Sequence, residues 1–356
     1  MIAIAIVTYN SAAFIRRCLE YVFEQDYTPF EVIVVDNASN DGTPEILRDF
    51  EAQRTQTAPP VTRETPQTSG GASGAPFCAS TFNARIRVAY NRENTGFAGG
   101  QNQAISLSKA AWILTLNPDT RLTRDFLRHL VEAGEADPSV GSVCGKLLAM
   151  SPDFEPLAQP TFDSTGIYFT PNQRHFDRGS QQPDHGQYER PEYVFGATGA
   201  ACLYRRAMID DISIDGEFFD SDFFVYREDA DVAWRAQLLG WKCLYTPLAR
   251  AYHVRSVLPA NRRSLPSAVN MHSVKNRWLL RIKNMTGPLY RRYWLVITWR
   301  DAVVIAGCLL REFSSLRAFV LLARAWPRAW KKRRIIMQRR RATDDSLSVW
   351  FRSTPA

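Results

Sequence analysis

The chain has 356 residues, of which 45% are hydrophobic and 12% aromatic, a globular composition able to bury the core of one large domain or two unequal ones. The net charge of +8 hides a division: residues 1–254 hold 22 Lys/Arg against 32 Asp/Glu, whereas residues 255–341 hold 21 Lys/Arg against two acids, Asp301 and Glu312. Such a split predicts two parts with different partners, and the lack of any run of 18 apolar residues argues against a segment that spans a bilayer.

The start, MIAIAIVTYN, has neither the basic segment nor the small-residue cleavage site of a secretory signal, so a cytoplasmic protein is expected. IAIAIVTY suits a buried strand, and after Asn10 the residues Ile15, Cys18, Leu19 and Val22 recur at helical spacing. EVIVVDNAS followed by DGTPEILRDF repeats the strand-then-helix pattern, with Thr43 as N-cap and Pro44 at the first helical position. Residues 52–84 are dense in Thr, Pro, Ser and Gly and read as a mobile surface insertion. RIRVAYN and WILTLNPD add two strands, separated by a helical stretch near residues 100–110. Alternation of strands and helices predicts an α/β fold with a mostly parallel central sheet covered on both faces. Residues 151–194 are irregular and rich in Pro and Gln, and say least. The six cysteines lack CxxC spacing, which predicts reduced packing residues and no thiolate metal site.

Open α/β sheets bind ligands at the C-terminal ends of their strands, so Thr8, Asn10, Asp36 and Asp119 are expected to share one crevice. The first turn, TYNSA, has none of the glycines of a dinucleotide-binding helix, which argues against a nicotinamide or flavin enzyme. In NPDT, Pro118 helps to end the strand and leaves Asn117 and Asp119 beyond it. Two oxygen-bearing side chains at i and i+2 can hold a hard divalent cation, although the tripeptide alone favours Asp119 as a turn or N-cap residue. Glu228 and Asp229 stand where a helix begins. They are either first-turn acids that complement the helix dipole or carboxylates at the mouth of an apolar site, one of them a general base. His253 is a structural histidine or a ligand for a Mn²⁺-like metal.

IVTYN, VVDNASNDGT, NRENTGFAGGQNQA, LNPDT, FGATGAACLYRR, FFDSDFFVYREDADVAWRAQLLGW and AYHVRS follow one another in this order. Together they resemble family 2 glycosyltransferases of the GT-A fold, most of all the bacterial rhamnosyltransferase-like branch. The likeness covers roughly residues 2–260, a catalytic domain at 1–260, with a weaker echo in HSVKNRWLLRIKN. It implies that Thr8, Asn10 and Asp36 hold the donor nucleoside and that Asn94, Gly96 and Phe97 close on the nucleotide. It implies further that Asp119 and His253 bind Mn²⁺ or Mg²⁺ on the diphosphate, with Asn117 replacing the first acid of the family's DxD triplet. Asp229 would be the base, with Glu228 beside it, in an inverting single displacement. The implied donor is dTDP-rhamnose, with a UDP-hexose as the alternative, and the implied acceptor is a lipid-linked, polyprenyl diphosphate saccharide of cell-surface polysaccharide synthesis. A catalytically silent nucleotide-sugar-binding scaffold is the rival from another class.

Residues 261–345 interleave Trp, Leu and Arg, as in YRRYWLVITWRDAVVIAGCLLREF. Arg300 and Asp301 interrupt its longest apolar segment, so amphipathic helices lying on a membrane are expected, with cations toward anionic lipid. A membrane surface at the inner face of the cytoplasmic membrane is preferred to nucleic acid as the partner, and a helical subdomain packed on the core with a solvated basic face is the alternative. Residues 346–356 form a tail, and the donor site is expected wholly within residues 1–260.

Overall fold

The structure, a computed structural model, describes residues 1–56, 85–255 and 267–351; most of the expected insertion at 52–84 lies outside them. In chain order the elements are β1 (Ile2–Thr8), α1 (Ile15–Phe23), β2 (Phe30–Asp36), α2 (Thr43–Gln56), β3 (Arg85–Tyr90), α3 (Gly96–Ser106), β4 (Trp112–Leu116) and β5 (Thr120–Leu122). There follow α4 (Phe126–Glu135), β6 (Val140–Ala149), β7 (Phe162–Ser164), β8 (Ile167–Phe169), β9 (His175–Asp177), β10 (Glu192–Val194), β11 (Ala201–Arg205) and α5 (Arg206–Ile212). The chain continues with α6 (Glu228–Leu238), β12 (Lys242–His253), α7 (Ser267–Asn284), α8 (Gly287–Leu310), α9 (Arg317–Arg339) and α10 (Asp344–Ser348).

The main sheet runs β10-β12-β6-β11-β4-β1-β2-β3, with β5 on β12 and β7 on β6. Strands β4, β1, β2 and β3 are mutually parallel, as are β6 and β12, and antiparallel β11 joins the two groups. The alternation in IAIAI decides how the first group is covered. Ile2, Ile4 and Ile6 enter one core with Ile15, Leu19 and Val22 of α1, while Ala3 and Ala5 enter another with Ala98 and Ala104 of α3. Small side chains on the second face let α3 approach closely; a Cβ on Gly100 would meet Val7 at 2.7 Å. The irregular segment 151–194 holds the short strands β7 to β10, which the period-2 signal of the sequence is too brief to reveal.

Helices α7 and α9 pack on each other and on α6. The contact is ionic as well as apolar. Lys283 of α7 is fully buried and donates to Asp220 Oδ2 at 2.5 Å and to Asp231 Oδ2 at 2.8 Å. Asp231 also accepts from Arg235 Nε at 2.8 Å, and Asp220 from Lys332 of α9 at 2.6 Å. Burial would raise these two carboxyls, but the Lys283 charge, with Lys332 on Asp220 and Arg235 on Asp231, holds both below the usual carboxylate range.

Helix α8 departs from the amphipathic expectation. It buries only Leu289, Ile297 and Cys308, and its apolar residues surround the axis. At 24 residues it is long and apolar enough, by length and composition, to cross a membrane, alone in this among the described residues. The sequence reading stopped at Arg300 and Asp301. Asp301 does not break the outer surface, because it turns inward to Arg277 Nε at 3.3 Å and a terminal guanidinium nitrogen of Arg281 at 2.5 Å.

Replacing Lys283 by Met leaves Asp220 and Asp231 short of their shared cation in a dry environment. The expected cost is about 3–5 kcal/mol, read as a lower urea midpoint at unchanged m-value. A loss below about 1 kcal/mol would mean that Lys332 and Arg235 suffice without it.

Candidate active site

Parallel pairing of β1 with β2 sets Thr8 opposite Asp36 at the C-terminal ends of both strands. Thr8 Oγ1 donates to Asp36 Oδ1 at 2.8 Å, and Ser39 donates to both carboxylate oxygens, through Oγ at 2.6 Å and N at 3.1 Å. Asn10 sits in the left-handed region at φ 53°, which Asn tolerates better than most residues. Its amide N–H donates to Ser39 Oγ at 2.9 Å and its Oδ1 accepts from Asn40 N at 3.0 Å, so the two loops that follow the strands are stitched together.

The loop before α3 is held from below by Asn37, whose Nδ2 donates to Gly96 O at 3.0 Å and whose Oδ1 accepts from Thr95 Oγ1 at 3.0 Å. Asn94 Oδ1 accepts from Gly96 N at 2.8 Å. Gly96 has φ +76°, and a Cβ there would lie 2.4 Å from Phe224 O. A glycine is required on both counts. The same Phe224 carbonyl accepts from Phe97 N at 3.0 Å, and the Phe97 ring meets Phe219 edge-on at 5.7 Å.

Strand β4 ends just before Asn117, whose N donates to Ala200 O at 2.8 Å. Strand β5 then pairs antiparallel with β12, setting Thr120 against His253, and Val254 N donates to Asp119 O at 3.0 Å. The sheet therefore brings together residues 134 positions apart. His253 Nε2 faces Asp119 Oδ1 at 3.2 Å and the Asn117 amide nitrogen at 3.4 Å, while Nδ1 faces Asp163 Oδ2 at 2.9 Å. Burial opposes charge on the imidazole, but Asp119 and Asp163 together outweigh it and raise His253 to about 10. Asp163 Oδ1 continues to Arg255 Nε at 2.6 Å, and a terminal nitrogen of Arg255 to Asp177 Oδ2 at 2.6 Å.

Among the described residues no group of three or more His, Cys, Asp and Glu side chains is arranged to hold a metal. The donor set that is present fits once a cation takes the place of the proton between His253 Nε2 and Asp119 Oδ1: a carboxylate oxygen and an imidazole nitrogen converge there with Asn117 beside them, and the other imidazole nitrogen is braced by a carboxylate, as metal-binding histidines commonly are.

Asp229 lies in the first turn of α6, after Arg227 in the left-handed region. Its Oδ2 accepts from Gly199 N at 3.2 Å and its Oδ1 from Ala230 N at 2.7 Å. Burial, reinforced by the Asp177 charge, raises Asp229 to about 6. Burial and the charge of Asp229 raise Glu228 to about 8, and its Oε2 has no hydrogen-bond partner. At neutral pH the pair divides its roles: Asp229 is ionised and able to accept a proton, whereas Glu228 keeps its own.

A cavity of about 920 Å³ joins these groups. Of the residues singled out in the sequence, Phe97, Asn117, Asp119, Glu228, Asp229 and His253 line it, while Thr8, Asn10, Asp36, Asn94 and Gly96 do not. The sequence reading missed Asp163, Asp177 and Arg255. Arg255 sits in the quoted AYHVRS two places after His253, but the two aspartates come from the segment without periodicity. Residues of α7 and α8, outside the region expected to hold the donor site, also form cavity wall.

The family model of glycosyl transferase family 2 matches residues 3–213, and that of glycosyl transferase family group 2 matches residues 112–330. The succinoglycan biosynthesis protein ExoO of Rhizobium meliloti is 24% identical over 181 residues, 47% of this chain and 43% of its own. Poly-beta-1,6-N-acetyl-D-glucosamine synthase of Staphylococcus aureus is 21% identical over 255 residues, 70% of this chain and 49% of its own. The chain thus spans less than half the length of these curated relatives. The mannosyltransferase PcManGT from Pyrobaculum calidifontis, solved with GDP-Man and Mn²⁺, matches with a TM-score of 0.51 at 17% identity, covering 95% of this chain and 85% of that one. The fold is GT-A, with C-terminal helices added.

The raised Asp229 value sets a pH dependence. If its ionised form acts as the base, activity falls as pH drops through about 6, and log kcat/KM should climb with unit slope below that point. Stability runs the other way: a carboxyl raised in the fold costs stability as pH rises from its ordinary 3.8 toward 6. A kcat/KM profile that stays flat from pH 5 to pH 7 would exclude Asp229 as the titrating base.

Proposed function

The chain belongs to glycosyl transferase family 2, and on that footing we propose that it moves a sugar from a nucleotide-diphosphate donor to a lipid-linked saccharide, with inversion at the anomeric carbon. The observation that carries this reading is the shared cavity: the ionised Asp229 faces the same space as Asn117, Asp119 and His253. Asp229 takes the proton of an acceptor hydroxyl as its oxygen bonds to the anomeric carbon. The bond from that carbon to the diphosphate oxygen breaks on the opposite side, and the nucleoside diphosphate leaves with the electron pair. Two carboxylates are present, yet a single displacement needs only one of them as base. Glu228, protonated, keeps a second negative charge away from the departing diphosphate.

Asp119 and His253, with Asn117 as a weaker third, would hold Mn²⁺ or Mg²⁺, and this cation would neutralise charge on the diphosphate. Support for a divalent metal comes from the Mn²⁺ present in the similar mannosyltransferase. Thr8, Asn10 and Asp36 we assign to the nucleoside and Asn94, Gly96 and Phe97 to closure over it, which the stitched loops at the strand ends support. We take dTDP-rhamnose as the donor, by resemblance of the motifs. A UDP-hexose is the second reading, favoured by similarity to a glucosamine-polymer synthase. The product belongs to cell-surface polysaccharide synthesis, as the succinoglycan relative suggests. We place the protein at the inner face of the cytoplasmic membrane, with Trp294, Trp299, Trp326 and Trp330, all exposed on α8 and α9, at the lipid surface. Residues 1–260 form the catalytic part and 261–345 the membrane-associating part of this scheme.

A thermal-shift panel of nucleotide sugars, with and without Mn²⁺, tests the donor. The largest rise in Tm should come from dTDP-rhamnose with Mn²⁺, and a larger rise with UDP-glucose would replace rhamnose by a hexose. EDTA should abolish turnover, and Asp119→Ala should weaken nucleoside diphosphate binding more than nucleoside binding. Asp229→Asn should keep the donor shift and lose about 100-fold or more in turnover. A silent scaffold shows the donor shift and no transfer in the wild type.

A further inference from the structure

The part of the cavity wall that α7 and α8 supply is the part that the catalytic scheme leaves unused. Among the described residues α7 and α8 contribute Arg277 and Arg300 to it, together with Val274 and Val304, and no carboxylate. Arg277 donates through Nε to Asp301 and through a terminal nitrogen to Asn172 O at 3.2 Å. Arg300 differs. Its Nε is buried without a hydrogen-bond partner, and no carboxylate within ion-pairing distance neutralises it among the described residues. The side chain is half-buried at the cavity, so its guanidinium is available to an anion that enters there. Burial, with the neighbouring Arg281 and Arg300 charges, pulls Arg277 down to about 10 despite Asp301.

The chemistry of this wall changes from one side of α8 to the other. Arg300 and Val304 face the cavity, whereas Trp299 and Leu310 are 73% and 77% exposed and Leu295 and Val303 are exposed beside them. A ligand lodged at Arg300 therefore has an apolar surface directly behind it. On the hairpin β8–β9, Tyr168 and Phe176 stack at 5.4 Å, with the Arg174 guanidinium 4.4 Å over the Phe176 ring, and all three line the same cavity.

The geometry points to an acceptor subsite on α7 and α8: Arg300 and Arg277 bind the diphosphate that links an acceptor saccharide to its lipid, and the lipid runs out along the exposed apolar face of α8. This deepens the transferase reading and rests on it. The fork of a guanidinium matches phosphate oxygens, and two such groups match a diphosphate. The proposal commits to a lipid-linked diphosphate, because a free anion would leave the adjoining apolar face without a role.

Binding to the full chain, in EDTA so that diphosphates do not gather at a metal, is measured for farnesyl diphosphate, farnesol and inorganic pyrophosphate. Farnesyl diphosphate should bind more tightly than either of the others. Arg300→Gln should weaken it by about tenfold or more, leave farnesol unchanged, and keep the nucleotide-sugar thermal shift of the wild type. Arg300→Lys should lie between. Val304→Glu, which sets a carboxylate beside the anion, should weaken farnesyl diphosphate in the same way and carries the test if Arg300→Gln does not fold. Equal affinity for pyrophosphate and farnesyl diphosphate overturns the lipid-linked ligand. Unchanged affinity in both variants, or no binding by a wild type that shows the donor shift, overturns the subsite. A wild type with no donor shift overturns the transferase reading itself.

Discussion

The buried ammonium of Lys283 is the interaction on which the rest of the structure depends. It lies between Asp220 and Asp231 with no contact to water, and each carboxylate belongs to a different part of the site's support. Asp231 stands two residues after Asp229 on α6, so the turn that presents the candidate base is the turn that anchors α7. Asp220 lies in the loop leading to Phe224, whose carbonyl braces Phe97 at the donor loop. A charge pair of this kind tolerates little loss of geometry, because an ion left alone in a dry interior costs several kcal/mol. The basic C-terminal part is thereby fixed to the acidic catalytic part, and the opposite net charges of the two parts meet in buried contacts as well as facing separate partners.

A second consequence of burial appears in the carboxylates around the cavity. Similar side chains meet different ends according to what stands beside them. Asp163 has His253 and Arg255 and is held below the ordinary carboxylate range despite burial, whereas Asp229 accepts only backbone N–H groups and is raised. Glu228, next to an ionised neighbour, is raised further. The cavity lining thus holds two raised carboxyls and a braced imidazole.

Much of this was legible in the chain. IAIAI and EVIVV specify strands by their own composition, the pairing of Asp231 with Arg235 follows from helical spacing, and NPDT ends β4 where a parallel sheet opens to ligands. What the sequence could not show is what only folding brings together. Asp163 sits in a three-residue strand and Asp177 in another, too short to carry a period, and their roles arise from the strand end that delivers His253 to the first and Arg255 to both. Helix α8 was misjudged for a related reason. Its Asp301 reads as a charge interrupting an apolar stretch until α7 supplies Arg277 and Arg281 to take it inward.

Because one buried cation joins α6 to α7, the two helices form a single cooperative unit for opening motions. An excursion that exposed the amides of α7 would have to uncover Asp231 as well, so amide hydrogens in the middle of both helices should exchange with similar protection free energies. The exposed outer turns of α8, which bury only three side chains, should exchange far sooner. The cavity wall would then have a rigid half and a compliant half, meeting at Arg300.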